Sequence, residues 1–290
     1  MLSSQTLTRP RRFVFSERAQ AWRSDDTGAV GYAWRASTPH AGLVLLHGLR
    51  SHAQWFSEAA DDLAERGVSV YALDRRGSGS STSGQPGDIE RYDQWLNEIE
   101  SAVALARSEQ PGLPIHLLGH CFGANLALAY CLSHRLEVSS LVMLTPGLHV
   151  KPGYTPLEKL AIGVAAVVDN GRRFRMPQED WMFSRDPKVL AWIERDRLGA
   201  PSVTARCLLQ IDRLGAWIRR DVGDLQLPLL VLAANRDRIS DNPRNEQLLS
   251  AKLGTGCRWR TFDGEHFLLA EPCRDQVIGA VLGWIENEVI

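Results

Sequence analysis

A cysteine stands at position 121 between two glycines, in the run Gly119-His120-Cys121-Phe122-Gly123. The short run Ile115–Leu118, apolar but for His116, precedes it and ANLALAY follows, so the text reads as a strand, a tight turn and a helix. In the nucleophile-elbow pattern G-x-S-x-G the central position carries serine. Such a turn is sharp enough that the residues two before and two after its apex must lack bulk, which Gly119 and Gly123 satisfy. A thiol held there sits at a helix N-terminus, where the helix dipole and nearby backbone N–H groups favour the attacking thiolate. The chemistry expected is covalent: sulfur attacks a carbonyl carbon and carries the acyl group.

A thiol nucleophile needs a base within reach and a group to orient that base. Two stretches offer them. Asn235-Arg236-Asp237 follows the apolar run LPLLVLAA, and Asp263-Gly264-Glu265-His266-Phe267 follows CRWRTF. His266 can take the thiol proton at neutral pH and return it to a leaving group, while Asp237 would fix the imidazole tautomer and stabilise its charged form. Asp241 and Asp263 compete for the acid's place, but Asp237 sits closest to a strand end. A developing oxyanion needs two convergent N–H donors. Phe122 would supply one, and Leu49, in His47-Gly48-Leu49, the other. His47 reads as a structural hydrogen-bonding residue rather than a second base. The Gly/Ser loop DRRGSGSS (74–81) lacks the lysine of a P-loop and reads as a structural turn.

These residues must be positioned by the elements between them. GLVLLHG, VSVYALD, IHLLGH, SSLVMLT and LPLLVLAA are short apolar runs separated by helix-like stretches. One such helix shows Tyr92, Trp95, Leu96, Ile99, Ala102, Val103 and Ala106 at helical spacing. Continuous apolar strands alternating with amphipathic helices imply a mostly parallel sheet covered by helices on both faces. Residues 20–23 and 29–35 would form an antiparallel starting hairpin, and RDQVIGAVLGWIENEV a closing helix. The alternation stops after Thr145: residues 147–222 hold mostly helical patterns, among them LEKLAIGVAAVV and KVLAWIERDRL. This defines a core of residues 1–146 and 223–290 with a helical cap (lid) of residues 147–222 inserted in it. Leu157, Leu160, Val164, Trp181, Met182, Phe183 and Trp192 in that insertion supply apolar surface for an acyl pocket.

A formal net charge of −1 gives no electrostatic case for nucleic acid or an anionic membrane. No run of eighteen apolar residues occurs, so no transmembrane segment is expected, and the polar N-terminus MLSSQTLTRPRR is not a secretory signal. A cytoplasmic protein is expected. Cysteines 121, 131, 207, 257 and 273 are widely spaced, without a C-x-x-C pair or metal-like histidine spacing. Neither a metal nor a cofactor is expected, and the four cysteines other than Cys121 read as ordinary thiols.

With those pieces placed, LLHGLRSHAQWF, YALDRRGSGSS, HLLGHCFGANLAL, FSRDPKVLAWIERDRL, VLAANRD and FDGEHFLLAEP together resemble α/β-hydrolases of the monoacylglycerol lipase and lysophospholipase-like branch, from the first central strand to the C-terminus. The resemblance implies the α/β-hydrolase fold, and the order Cys121, Asp237, His266 is its order of nucleophile, acid and base. It carries over Leu49 and Phe122 as oxyanion donors. The departure is the cysteine, since that branch uses serine. Dienelactone hydrolases and some releasing thioesterases are similar folds that use cysteine. The expected activity is cleavage of an ester, lactone or thioester of a hydrophobic acyl group through an acyl-cysteine intermediate, the substrate being small and either free or carrier-bound. An acyltransferase or a cyclising, chain-releasing enzyme shares that intermediate. A non-catalytic ligand-binding protein of the same fold is the alternative of another class.

Overall fold

The computed structural model describes residues 15–81, 83–133 and 138–287. The N-terminal stretch MLSSQTLTRPRR, read above as no secretory signal, lies outside them. In chain order the elements are β1 (Gln20–Arg23), β2 (Val30–Trp34), β3 (Ala41–Leu46), α1 (Ser57–Glu65), β4 (Val68–Asp74), α2 (Asp93–Glu109), β5 (Ile115–His120), α3 (Phe122–Ser133) and β6 (Ser140–Leu144). There follow α4 (Pro156–Val168), β7 (Arg173–Arg175), α5 (Pro187–Arg195), β8 (Ser202–Thr204), α6 (Ala205–Asp221), β9 (Leu229–Ala234), α7 (Asn242–Leu253), β10 (Cys257–Phe262) and α8 (Arg274–Asn287).

Eight strands form one sheet in the order β1-β2-β4-β3-β5-β6-β9-β10. The pairs from β4 to β10 are parallel, and only β1 with β2 and β2 with β4 run antiparallel. The reason is legible residue by residue. Strands β3, β4, β5, β6 and β9 are buried along their whole length, so both faces must be apolar. In β3, Val44 and Leu46 enter the core on one face of the sheet, while Leu43 and Leu45 enter the core on the other. Each such buried side chain contributes about 1.5–3 kcal/mol of hydrophobic stabilisation. Strand β10, at the edge, alternates between half-buried and exposed residues. Helix α2 buries Trp95, Leu96, Ile99, Ala102, Val103 and Ala106 as its spacing predicts. Helix α3 is buried all round from Phe122 to Leu132, as befits a helix without a polar face.

Register fixes where the loops meet. Gly119 lies opposite Leu46 of β3 and Met143 of β6, so position 121 falls just beyond the sheet beside the turn after β3. Ala234 lies opposite Phe262, which sets the loops after β9 and β10 side by side. The Asn235 N–H donates to the Phe262 carbonyl and the Arg236 N–H to that of Gly264.

No residue between β6 and β9 joins this sheet. That excursion was expected to hold mostly helical patterns. It also contains an antiparallel ribbon, with Phe174 opposite Val203, whose three-residue strands are too short to show a period. Helix α5 stops at Arg195, short of the KVLAWIERDRL pattern. Asp196 is drawn out of the helix because its carboxylate accepts from the His52 ring, the Trp55 indole and the Leu198 N–H. No helix among the described residues is long and apolar enough to cross a membrane.

Candidate active site

Cys121 sits between β5 and α3 with φ of 54°, in the left-handed region that a side-chain-bearing residue rarely occupies. The turn is held by its own backbone. The Cys121 N–H donates to the Leu144 carbonyl, and the Cys121 carbonyl accepts from Ala124 and Gly147. The flanking glycines are required by contact: a Cβ at Gly119 would lie 2.3 Å from the Gly123 carbonyl oxygen, and one at Gly123 would lie 2.2 Å from that of Leu46. Gly48 comes equally close from the turn after β3, where a Cβ would stand 3.2 Å from the Cβ of Cys121.

The loops after β9 and β10 bring Asp237 and His266 together, both buried. The Asp237 carboxylate accepts from His266 Nδ1 at 2.9 and 3.0 Å, and its Oδ1 also accepts from the Ile239 and Ser240 N–H groups, each at 2.8 Å. Burial pushes the Asp237 carboxyl up, but the His266 charge and these hydrogen bonds prevail, and its pKa lies below the usual carboxylate value. The rival acids are engaged elsewhere. Asp241 caps α7, accepting from the Arg244 N–H, while Asp263 is exposed and pairs with Asn235 and Arg236.

His266 Nε2 makes no hydrogen bond among the described residues, and the Cys121 sulfur acts electrostatically on the ring. Burial disfavours the imidazolium. The Asp237 carboxylate and then the Cys121 sulfur outweigh it, and the pKa is pushed up to about 10. His120, with its ring centre 5.0 Å from that of His266, behaves oppositely. Among the described residues neither of its nitrogens has a hydrogen-bond partner, and burial and then the His266 charge push its pKa down to about 3, which leaves it a very weak base.

Cys121 opens into a cavity of about 610 Å³, within the range of small-molecule sites. Gly48, Leu49 and Phe122 form its floor, and the segment between β6 and β9 forms much of its wall. The Leu49 N–H donates to no backbone carbonyl among the described residues. Of the seven apolar side chains expected in the wall, Phe183 lines the cavity and the other six do not. Leu157, Leu160 and Val164 are 76%, 65% and 53% exposed on the outer side of α4. Because α4 is apolar nearly all round, its period cannot select a face; Lys159, Ile162, Gly163 and Ala166 face the cavity instead. Trp181 and Met182 border a separate cleft with Lys151, Arg185, Arg236 and Arg238, and Trp192 packs on Trp55 at 5.0 Å.

Two cavity residues escaped the sequence reading. Asn125 is buried, its Nδ2 donating to the Gly147 carbonyl and its Oδ1 without a partner. The Tyr154 hydroxyl is likewise buried, with no partner among the described residues. Asn125 lies one turn of α3 after Cys121, and that spacing was the available signal. Among the described residues no cluster of His, Cys, Asp and Glu suits a metal ion.

The family model described as serine aminopeptidase, S33 (Hydrolase_4) matches residues 37–272. The monoacylglycerol lipase of Mycolicibacterium smegmatis is 27% identical over 262 residues, covering 88% of this chain and 92% of that protein. The monoglyceride lipase of Mus musculus is 22% identical over 263 residues, covering 88% and 86%. Among solved structures, a soluble variant of monoglyceride lipase from Saccharomyces cerevisiae in complex with a substrate analog superposes with a TM-score of 0.81 at 18% identity, over 93% of this chain and 94% of that one. The monoacylglycerol lipase of Paleococcus ferrophilus gives 0.78 at 20% identity, over 89% and 99%. The shared fold is the α/β-hydrolase fold, and the extent of the family match makes this chain a member of the Hydrolase_4 family.

Proposed function

We propose that the protein is a lipase- or esterase-type hydrolase that cleaves a hydrophobic acyl ester, lactone or thioester through an acyl-Cys121 intermediate. The observation that carries the reading is the placement of Cys121 at a left-handed strand-to-helix turn, open to the cavity and acting on the buried His266–Asp237 pair. The names of its relatives, monoacylglycerol and monoglyceride lipases, favour a small monoacyl ester as substrate. A cysteine at the elbow departs from the serine in the family's description.

In this mechanism the thiol proton rests on His266 Nε2, in keeping with its raised pKa, and Sγ attacks the carbonyl carbon while the carbonyl π pair moves onto oxygen. The N–H groups of Leu49 and Phe122 receive the oxyanion. As the tetrahedral intermediate collapses, the bond to the leaving oxygen or sulfur breaks and His266 returns the proton to it. Water enters, gives a proton to His266 and attacks the thioester, and the acid and free thiol are released. Asp237 holds the imidazole with Nε2 toward sulfur throughout. Residues 147–222 act as the cap that shapes the acyl site and limits entry of water.

Intact-protein mass spectrometry after incubation with monoacylglycerols, simple esters and acyl thioesters tests the reading. An acyl adduct mapped to Cys121, together with turnover that disappears in Cys121→Ala, is expected. Turnover that persists in Cys121→Ala overturns it.

A further inference from the structure

Arg75 follows β4 directly and is 3% exposed, yet no carboxylate lies within ion-pair distance of its guanidinium among the described residues. The nearest acids are occupied: Asp74 accepts from the Ala53 and Ser80 N–H groups, and Glu98 pairs with Arg76. The guanidinium instead spends its donors on the turn after β3. Nη1 donates to the carbonyls of His47 at 3.1 Å and Gly48 at 2.9 Å, and Nη2 donates to that of Leu49 at 2.7 Å. On its other side the guanidinium carbon lies 5.6 Å from the centre of the Phe122 ring. One buried cation therefore touches both of the cavity-lining residues read as oxyanion donors.

The Gly48 carbonyl and the Leu49 N–H belong to a single peptide group. A charged donor on the carbonyl holds that peptide in one orientation and draws electron density from its N–H, making it a stronger donor. We infer that Arg75 is a positioning residue for the oxyanion site, orienting and polarising the Gly48–Leu49 peptide while its unpaired charge favours the negative tetrahedral intermediate. The inference rests on the reading of Leu49 and Phe122 as oxyanion donors. A buried cation without a counter-ion is costly to keep, which argues that its field serves something other than folding. Burial pulls the Arg75 pKa down to about 10, so the group is charged at neutral pH. His47, against which it packs, is held neutral by burial and then by the Arg75 charge. Arginine suits the place because a planar fork reaches three carbonyls at once.

The test compares Arg75→Gln, which keeps N–H donors without charge, with Arg75→Lys, which keeps charge without the fork. Rates are expressed per Cys121 alkylated by iodoacetamide and mapped by peptide mass, so an incompletely folded fraction does not enter them. Arg75→Gln is expected to lower kcat by about 10- to 100-fold with KM within about threefold, somewhat less than outright removal of an oxyanion donor. Affinity for an aldehyde that forms a tetrahedral hemithioacetal should fall by the same factor as kcat/KM, and Arg75→Lys should recover part of both. Unchanged kcat and aldehyde affinity in both alkylatable variants overturns this inference alone, as does a loss confined to KM. Wild-type turnover that survives alkylation of Cys121 overturns the proposed mechanism and this inference with it.

Discussion

The ring of Phe183, from the segment between β6 and β9, lies edge-on to the ring of His266 with centres 5.5 Å apart, and the Phe183 carbonyl accepts from the Phe267 N–H. The cavity wall and the proposed general base are thereby one packed unit. Phe183→Ala is expected to lower kcat/KM about 10-fold or more for a long-chain monoacyl ester, and less for an acetyl ester, because it removes wall and base support together. Trp181, 47% exposed and stacked over Arg238 outside the cavity, should leave the ratio between the two esters unchanged when replaced by alanine. Chain-length profiles of both variants check this; a shifted profile in Trp181→Ala would place the acyl site elsewhere.

The left-handed backbone at Cys121 trades stability for chemistry. Glycine adopts φ of 54° without the steric cost that a Cβ imposes, about 1 kcal/mol. Cys121→Gly is expected to abolish turnover while keeping or raising the unfolding midpoint, and Cys121→Ala to abolish it without that gain. Thermal denaturation beside steady-state assays reads both quantities. A midpoint in Cys121→Gly well below that of Cys121→Ala contradicts the strain argument.

The proton on His266 gives a pH signature. Its pKa is raised from about 6.5 to about 10, so its contribution to stability is complete below about 6.5 and is lost as pH rises through about 10. Asp237, with a lowered pKa, contributes above its ordinary value near 3.8, and that contribution is lost as pH falls through the lowered one. NMR titration of the His266 ring should show the raised value, drop further in Asp237→Asn than in Cys121→Ala, and match an alkaline fall in kcat as the leaving group loses its acid. An imidazole titrating near 6.5 in all three proteins contradicts the assignment.

Asn125 offers an unpaired acceptor to whatever enters the cavity. Asn125→Ala should raise KM several-fold for a monoacylglycerol, whose hydroxyls can donate, and hardly at all for the matching ethyl ester. Equal effects on the two esters would show that the Gly147 bond, and not the free oxygen, is what matters.

Much of this arrangement is legible in the chain because its constraints are local. Gly119 and Gly123 announce a sharp turn, and the buried strands leave few places where loops can meet. Asp237 and His266 stand just past two parallel neighbours, β9 and β10, so their meeting follows from register. The cavity wall is less legible. Leu157, Leu160 and Val164 make as good an apolar stripe as Ile162, Gly163 and Ala166, and only the packing of α4 against α6 decides between them. Arg75 hides for a related reason. It is one of two adjacent arginines in a turn, and nothing in Asp74-Arg75-Arg76-Gly77 tells which side chain goes inward; Arg76 pairs with Glu98 while Arg75 is swallowed.

The pairing of β6 with β9 has a consequence for how this protein can change. β6 and β9 are adjacent parallel strands, so the long excursion leaves the sheet at the C-terminal end of β6 and re-enters it at the N-terminal end of its neighbour. The entropy of closing such a loop grows only slowly with its length. The part of residues 145–228 that lies outside the shared core can thus change in length, provided both ends return to the same two strands. Cys121, Asp237 and His266 all lie outside that segment. New substrate ranges could be acquired by varying this one segment, provided the packing of its Phe183 on His266 is kept.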